Sequence, residues 1–160
     1  MLAVREFDFE KDRERFFNRI VWTENSCYRF PWARQAIQET LEPSPVRKCF
    51  LLLEDDSLSG ISFYDTVLDE ASLNKLSIIP ERQGCGLGRI LLRESMTVLR
   101  EKYGVLRFFL DVREGNVPAR RLYASQGFTE CGIRKNYYHA PQGYENAILM
   151  ERIFPEEHGG

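Results

Sequence analysis

This sequence lacks a strong excess of charge of either sign, paired cysteines, and any long apolar run. Its 22 Lys and Arg face 24 Asp and Glu, a net charge of −2. That balance leaves no basic footprint of the kind that binds nucleic acid or an anionic membrane surface. The four cysteines, Cys27, Cys49, Cys85 and Cys131, stand far apart with no C-x-x-C pair. A disulfide framework and a zinc site are therefore not expected, and scattered single thiols suit a reducing compartment. There are two histidines, His139 and His158, without ligand-spaced partners, so surface positions and no metal are expected. No stretch approaches the ~20 apolar residues that span a bilayer, and Met1–Glu6 does not open a secretory signal. The expected location is the cytosol, with neither membrane nor nucleic acid as a partner.

What the chain does have is a globular balance: 160 residues, 43% hydrophobic and 29% charged. This suits one domain, expected over residues 1–154 with 155–160 as a frayed tail. Residues 1–9 read as a strand and 10–20 as a helix. Phe30-Pro31-Trp32 opens a second helix, which Glu42-Pro43-Ser44-Pro45 ends. Strands follow at Lys48–Glu54, Ser59–Asp65 and Glu70–Ile79, the first two separated by Asp55-Asp56-Ser57 and Gly60. A long helix runs from the glycine segment at 83–88 to about Lys102, with Leu87, Ile90, Leu91, Val98 and Leu99 on one face and Gly104 ending it. Leu106–Asp111 is a strand. Asn116 caps a helix that reaches Gln126, with Pro118 in its first turn and Gly127 beyond it. Phe128–Ile133 and Ala147–Ile153 are the last strands. The order β-α-α-β-β-β-α-β-α-β-β gives an α/β fold of the α+β type around a mixed sheet.

The glycine segment Gln83-Gly84-Cys85-Gly86-Leu87-Gly88 sits where a strand hands over to a helix. Glycines let the backbone approach a ligand, and the first helical amides are unpaired and positively polarised, a combination that suits a pyrophosphate. The spacing alone also fits a tight turn with no ligand. It does not fit G-x-G-x-x-G, and no G-x-x-x-x-G-K-[ST] is present to hold a nucleoside triphosphate.

Several linked motifs carry a resemblance. Gln83, Gly86 and Gly88 meet the signature [Q/R]-x-x-G-x-[G/A]. Asp111-Val112-Arg113, Asn116, Arg121-Leu122-Tyr123 and Gly127-Phe128 follow in order. Together they resemble the GNAT superfamily of acyl-CoA-dependent acetyltransferases. Phe30-Pro31-Trp32, Leu68-Asp69-Glu70-Ala71, Arg134-Lys135-Asn136-Tyr137-Tyr138 and Glu145-Asn146-Ala147-Ile148 bring the chain closer to the bacterial ribosomal-protein-alanine N-acetyltransferases. The similarity runs from about Phe30 to Arg152.

The resemblance implies a mostly antiparallel sheet of six to seven strands with about four helices, and acetyl-CoA as co-substrate. It also implies ligand contacts. Backbone groups of Leu76, Ser77 and Ile78 would hold the acetyl and pantetheine portion. The segment Gln83, Gly84, Cys85, Gly86, Leu87, Gly88 and Arg89 would hold the pyrophosphate, and Asn116 the pantetheine arm. Phe30, Trp32, Tyr137 and Tyr138 would line the peptide side. Each has a plainer alternative: a staple for Phe30 and Trp32, and sheet packing before an irregular Pro141-Gln142-Gly143 segment for the tyrosines. Cys85 is expected to be an unreactive bystander.

Two residues are expected to carry the chemistry. The resemblance implies a Glu where this chain has Asp111, so one methylene is missing and a water relay becomes the expected route to the amine; the alternative is a strand-end cap. Glu70 and Glu114 are substitute bases. Tyr123, two helical turns beyond Asn116, would hydrogen-bond the leaving thiolate; the alternative is a core tyrosine. The expected activity is acetyl transfer to the N-terminal amine, alanine above all, of a ribosomal protein by direct attack in a ternary complex, carried out by a monomer. The rivals are a small-amine or protein-lysine acetyltransferase on the same fold, and a non-catalytic acyl-CoA-binding module.

Overall fold

A computed structural model describes residues 1–156. The expected tail, and with it His158, lies mostly outside the described residues; Glu156 and Pro155 are irregular, whereas the Phe154 amide donates to the Leu106 carbonyl at 2.8 Å. The chain runs β1 (Leu2–Glu6), α1 (Phe9–Cys27), α2 (Arg34–Leu41), β2 (Arg47–Glu54), β3 (Ser57–Val67), β4 (Glu70–Ile78), a 3-10 turn (Pro80–Arg82), α3 (Leu87–Tyr103), β5 (Arg107–Arg113), α4 (Val117–Ser125), β6 (Thr129–Ala140) and β7 (Gly143–Ile153). Seven strands form one sheet in the order β1-β2-β3-β4-β5-β7-β6. All neighbours are antiparallel except β4 and β5.

Helices cover both faces, so the middle strands read as continuous apolar runs rather than alternating ones. In β2 the side chains of Phe50 and Leu52 join Tyr64, Leu91, Leu99 and Phe108 in one core. Cys49, Leu51 and Leu53 point the other way, to Phe16, Ile20, Ile37 and Leu41 of α1 and α2. The Asp8 carboxylate caps α1 by accepting from the amides of Glu10 and Lys11. Asp55 and Asp56, both at positive φ, make the tight β2–β3 turn, the backbone hand that matches strand twist.

Several expected boundaries shift. α1 continues seven residues past Ile20, to Cys27. Phe30-Pro31-Trp32 is not the first turn of α2: Ala33 is the N-cap and the helix begins at Arg34, and a proline disfavours helical backbone at the residue before it. Gly60 is not at a turn but inside β3, opposite Ile78. β6 and β7 extend to Ala140 and back to Gly143, so the segment at 141–143 is a hairpin turn rather than an irregular loop.

Candidate active site

The parallel pair β4–β5 creates the cleft. The two strands pair only from Glu70–Leu73 against Arg107–Leu110. β4 then continues to Ile78 and β5 to Arg113 with no pairing between them. A bulge helps to separate them. Phe63 faces Lys75 and Tyr64 faces Leu73, so Asn74 is the extra residue, and an extra residue bends the strand that carries it. The result is an open β4 edge along a cleft of about 780 Å³. Leu76, Ser77, Ile78, Gln83, Asn116, Tyr123 and Asp111 all line it, as do Phe30, Trp32, Tyr137 and Tyr138.

The glycine turn follows directly on Gln83, a lining residue of the cleft. Gly84 and Gly86 have φ of +77° and +80°, in the left-handed region that other residues enter only with strain. A Cβ at either would meet nothing within 4 Å, so these glycines clear outward space rather than internal space. Gly88 is different: a Cβ there would touch Leu122 and Leu76 at ordinary distances. The amides of Gly84, Cys85, Gly86, Leu87, Gly88 and Arg89 find no backbone acceptor among the described residues; the helical ladder begins with Ile90 donating to the Gly86 carbonyl. Six consecutive free donors at the positive end of a 17-residue helix form an anion cradle. The Gln83 side chain fixes the turn to the strand by donating to the Ile78 carbonyl at 2.9 Å. Cys85 is exposed, its thiol 3.7 Å from the Gln83 carbonyl.

α4 brings the other residues. Asn116 caps it, its side-chain oxygen accepting from the Ala119 amide at 3.2 Å. The Tyr123 ring packs edge-on against Phe128, centroids 5.9 Å apart. Its hydroxyl has no hydrogen-bond partner among the described residues and faces the cleft; burial, reinforced by Tyr138, pushes its pKa up to about 12. Asp111 stands on β5 in the same cleft, its nearest cation being Arg134 at 3.8 Å. The substitute bases lie elsewhere. Glu70 is at the far, paired end of β4 beside Arg107. Glu114 receives the Asn146 side-chain amide at 3.1 Å and does not line the cleft.

The acceptor side is closed by the 28–33 segment and the β6–β7 hairpin. Three residues of β6, Lys135 to Tyr137, stand opposite the single Asn146 of β7. Asn146 pins this bulge by accepting from the Asn136 amide at 3.0 Å. In a regular strand consecutive side chains face opposite ways. The bulge lets both Tyr137 and Tyr138 line the cleft, ring centroids 5.0 Å apart. Burial and the nearby Asp111 carboxylate push Tyr138 up to about 12. Across the opening, Phe30 is 57% exposed and leans on His139, centroids 6.4 Å apart. Trp32 is shared: its ring packs edge-on against Phe63 in the core and also borders the cleft.

Sequence reasoning missed one cluster here. Glu24 of α1 is buried and ion-paired with Lys75 of β4, and it accepts from the Trp32 amide at 2.7 Å. The Lys75 ammonium lies 4.2 Å from the Tyr28 ring centre and 3.9 Å from that of Trp32. Burial lowers its pKa, opposed by Glu24. The Tyr28 hydroxyl in turn reaches Leu76 and Ser77. Contacts spanning 51 residues leave no local spacing to read.

An unpaired strand edge running into a cradle of free amides, with a tyrosine and a carboxylate beside it, is the layout expected of an acyl-CoA enzyme. The family model "Acetyltransferase (GNAT) family" matches residues 17–128. The chain belongs to that family. Among its relatives is the ribosomal protein bS18-alanine N-acetyltransferase of Haemophilus influenzae, 39% identical over 135 residues, 84% of this chain and 90% of that protein. The protein of that name from Escherichia coli K12 is 36% identical over 127 residues, 79% of this chain and 84% of its own. The crystal structure of the ribosomal-protein-S18-alanine N-acetyltransferase from Escherichia coli matches with a TM-score of 0.86 and 30% identity, covering 100% of this chain and 99% of that one. No described helix of this family member is long and apolar enough to cross a membrane.

Proposed function

We propose that the protein moves an acetyl group from acetyl-CoA to the N-terminal amine, alanine above all, of a ribosomal protein in the cytosol. The observation that carries the reading is a cleft lined by an unpaired strand edge, Tyr123 and Asp111, with six free amides in the turn that directly follows its lining residue Gln83. The names of relatives at 36–39% identity supply the acceptor class.

The residues fit the co-substrate. The Gly84–Arg89 amides suit a diphosphate, and the absence of neighbours around a Cβ at Gly84 and Gly86 leaves room for one. Leu76–Ile78 offer an edge to which an amide-bearing arm can add like a strand, next to the free side-chain amide of Asn116. Bound there, acetyl-CoA would supply an activated acyl carbon and a thiol leaving group.

The acceptor must attack as a neutral amine. An α-amine titrates near ~8 and a lysine near ~10.4, so the lysine costs about 3 kcal/mol more to deprotonate at neutral pH, taking ~1.36 kcal/mol per unit. A modest base is enough for the α-amine. Asp111, one methylene shorter than Glu, orients a water that takes the proton and passes it to solvent. Tyr123 faces the opposite demand. With its pKa pushed up to about 12 it stays protonated. Giving its proton outright to a thiolate of pKa ~8.5 would cost about 5 kcal/mol, so its role is to donate a hydrogen bond to the developing sulfur anion. Phe30, Trp32, Tyr137 and Tyr138 would position the first residues of the peptide.

Mass spectrometry of an Ala-initiated ribosomal peptide incubated with acetyl-CoA and the enzyme tests the reading. A mass gain of one acetyl group on the α-amine is expected; no product at any enzyme concentration contradicts it.

A further inference from the structure

The Glu24–Lys75 cluster has the construction of a cation receptor, with the cation supplied by the chain itself. A carboxylate with 4% side-chain exposure forms one wall. The rings of Tyr28 and Trp32 form two others, each within about 6 Å of the ammonium, the range in which a ring face attracts a cation. The Trp32 amide fixes the carboxylate at 2.7 Å. Lys75, Tyr28 and Trp32 border the same cleft as Tyr123 and Asp111. An alkylammonium group of an acceptor would seek these same walls, and Lys75 already fills them.

We propose that Lys75 is a specificity-determining residue. Its ammonium occupies a carboxylate–aromatic cage on the acceptor side and so denies that cage to polyamines and lysine side chains. An acceptor then enters without a second ammonium anchor, which leaves the weakly basic α-amine as the group that reacts. The inference rests on the acetyltransferase reading above, and it adds what the cleft rejects. Truncating Lys75 strands a buried carboxylate, a state that strongly favours taking in another cation.

The test is Lys75→Ala assayed with acetyl-CoA against an Ala-initiated peptide and against α,ω-diamines of three to six carbons. The diamine-to-peptide ratio of kcat/KM is expected to rise by at least about tenfold over the parent protein. Adding Glu24→Gln removes the gain, and Lys75→Met, which fills the cage without charge, never shows it. A second measurement does not depend on turnover. Millimolar n-propylammonium chloride should raise the Tm of Lys75→Ala by a few degrees and leave the parent protein and the Glu24→Gln double variant unmoved. A flat ratio, or a Lys75→Ala Tm indifferent to propylammonium, overturns the inference. Loss of peptide acetylation in the parent protein would instead strike the proposed acceptor and leave the cage to be judged by the Tm series.

Discussion

Tyr123→Phe isolates one hydroxyl. The ring stays, with its edge-on contact to Phe128 at 5.9 Å, and the hydroxyl has no protein partner among the described residues to strand. Stability should therefore change by no more than ~0.5 kcal/mol. Catalysis should change much more. A hydrogen bond to a charged group is worth about 1.5–3 kcal/mol, and loss of one donor to a developing anion costs about 2.7–4 kcal/mol in well-studied enzymes. The hydroxyl sits on the wall of an open cleft, where water competes, so about 2–3 kcal/mol is the working figure. That is a fall in kcat of about 30- to 150-fold, at ~1.36 kcal/mol per tenfold. The assay is thiol release under saturating peptide, with acetyl-CoA affinity measured separately by calorimetry. Between pH 6 and 9 the variant's profile should run parallel to the parent's, because Tyr123 titrates near about 12 and carries its proton throughout. Full kcat, or a loss confined to acetyl-CoA affinity, refutes the assigned role.

Asp111→Asn should lower kcat/KM most at pH 6.5 and least near pH 9, where an α-amine of pKa ~8 has lost its proton unaided; a deficit constant with pH contradicts base assistance. Gly86→Ala forces a side chain into φ +80°. It should cost about 1–2 kcal/mol of stability and weaken acetyl-CoA binding in calorimetry. Gly60→Ala puts a Cβ 2.7 Å from the Ile78 side chain and 3.0 Å from the Ser77 carbonyl. A loss of about 1–3 kcal/mol in urea unfolding is expected, together with weaker acetyl-CoA binding as the β4 edge shifts. The folded-state pKa of Tyr123, near about 12, exceeds the unfolded ~10. Its stabilisation is complete below pH ~10 and disappears as pH climbs to 12, up to about 3 kcal/mol, so Tyr123→Phe should flatten that alkaline limb of the stability curve.

The layout of the cleft was legible in the sequence because its parts are local. The turn at 83–88 announces itself through glycine, α4 through Asn116 and Pro118, and α3 through its buried stripe. What was hidden depends on partners far along the chain. Asn74 is an ordinary strand residue until Phe63 and Tyr64 reveal it as a bulge. Lys135 to Tyr137 become a three-residue bulge only against Asn146, which is why two adjacent tyrosines share one wall. Pro31 suggested a helix start, yet the buried Glu24 carboxylate claims the Trp32 amide and the helix begins only at Arg34. Glu70 and Glu114 stood in sequence as substitutes for Asp111; in the fold Glu70 lies beside Arg107 at the paired end of β4, Glu114 accepts from Asn146, and neither lines the cleft.

If the glycine turn grips the diphosphate of coenzyme A, amide chemical shifts during a titration with coenzyme A move most at Gly84–Arg89 and along Leu76–Ile78. Saturable binding that leaves those amides still and moves others, or no binding at all, contradicts that grip.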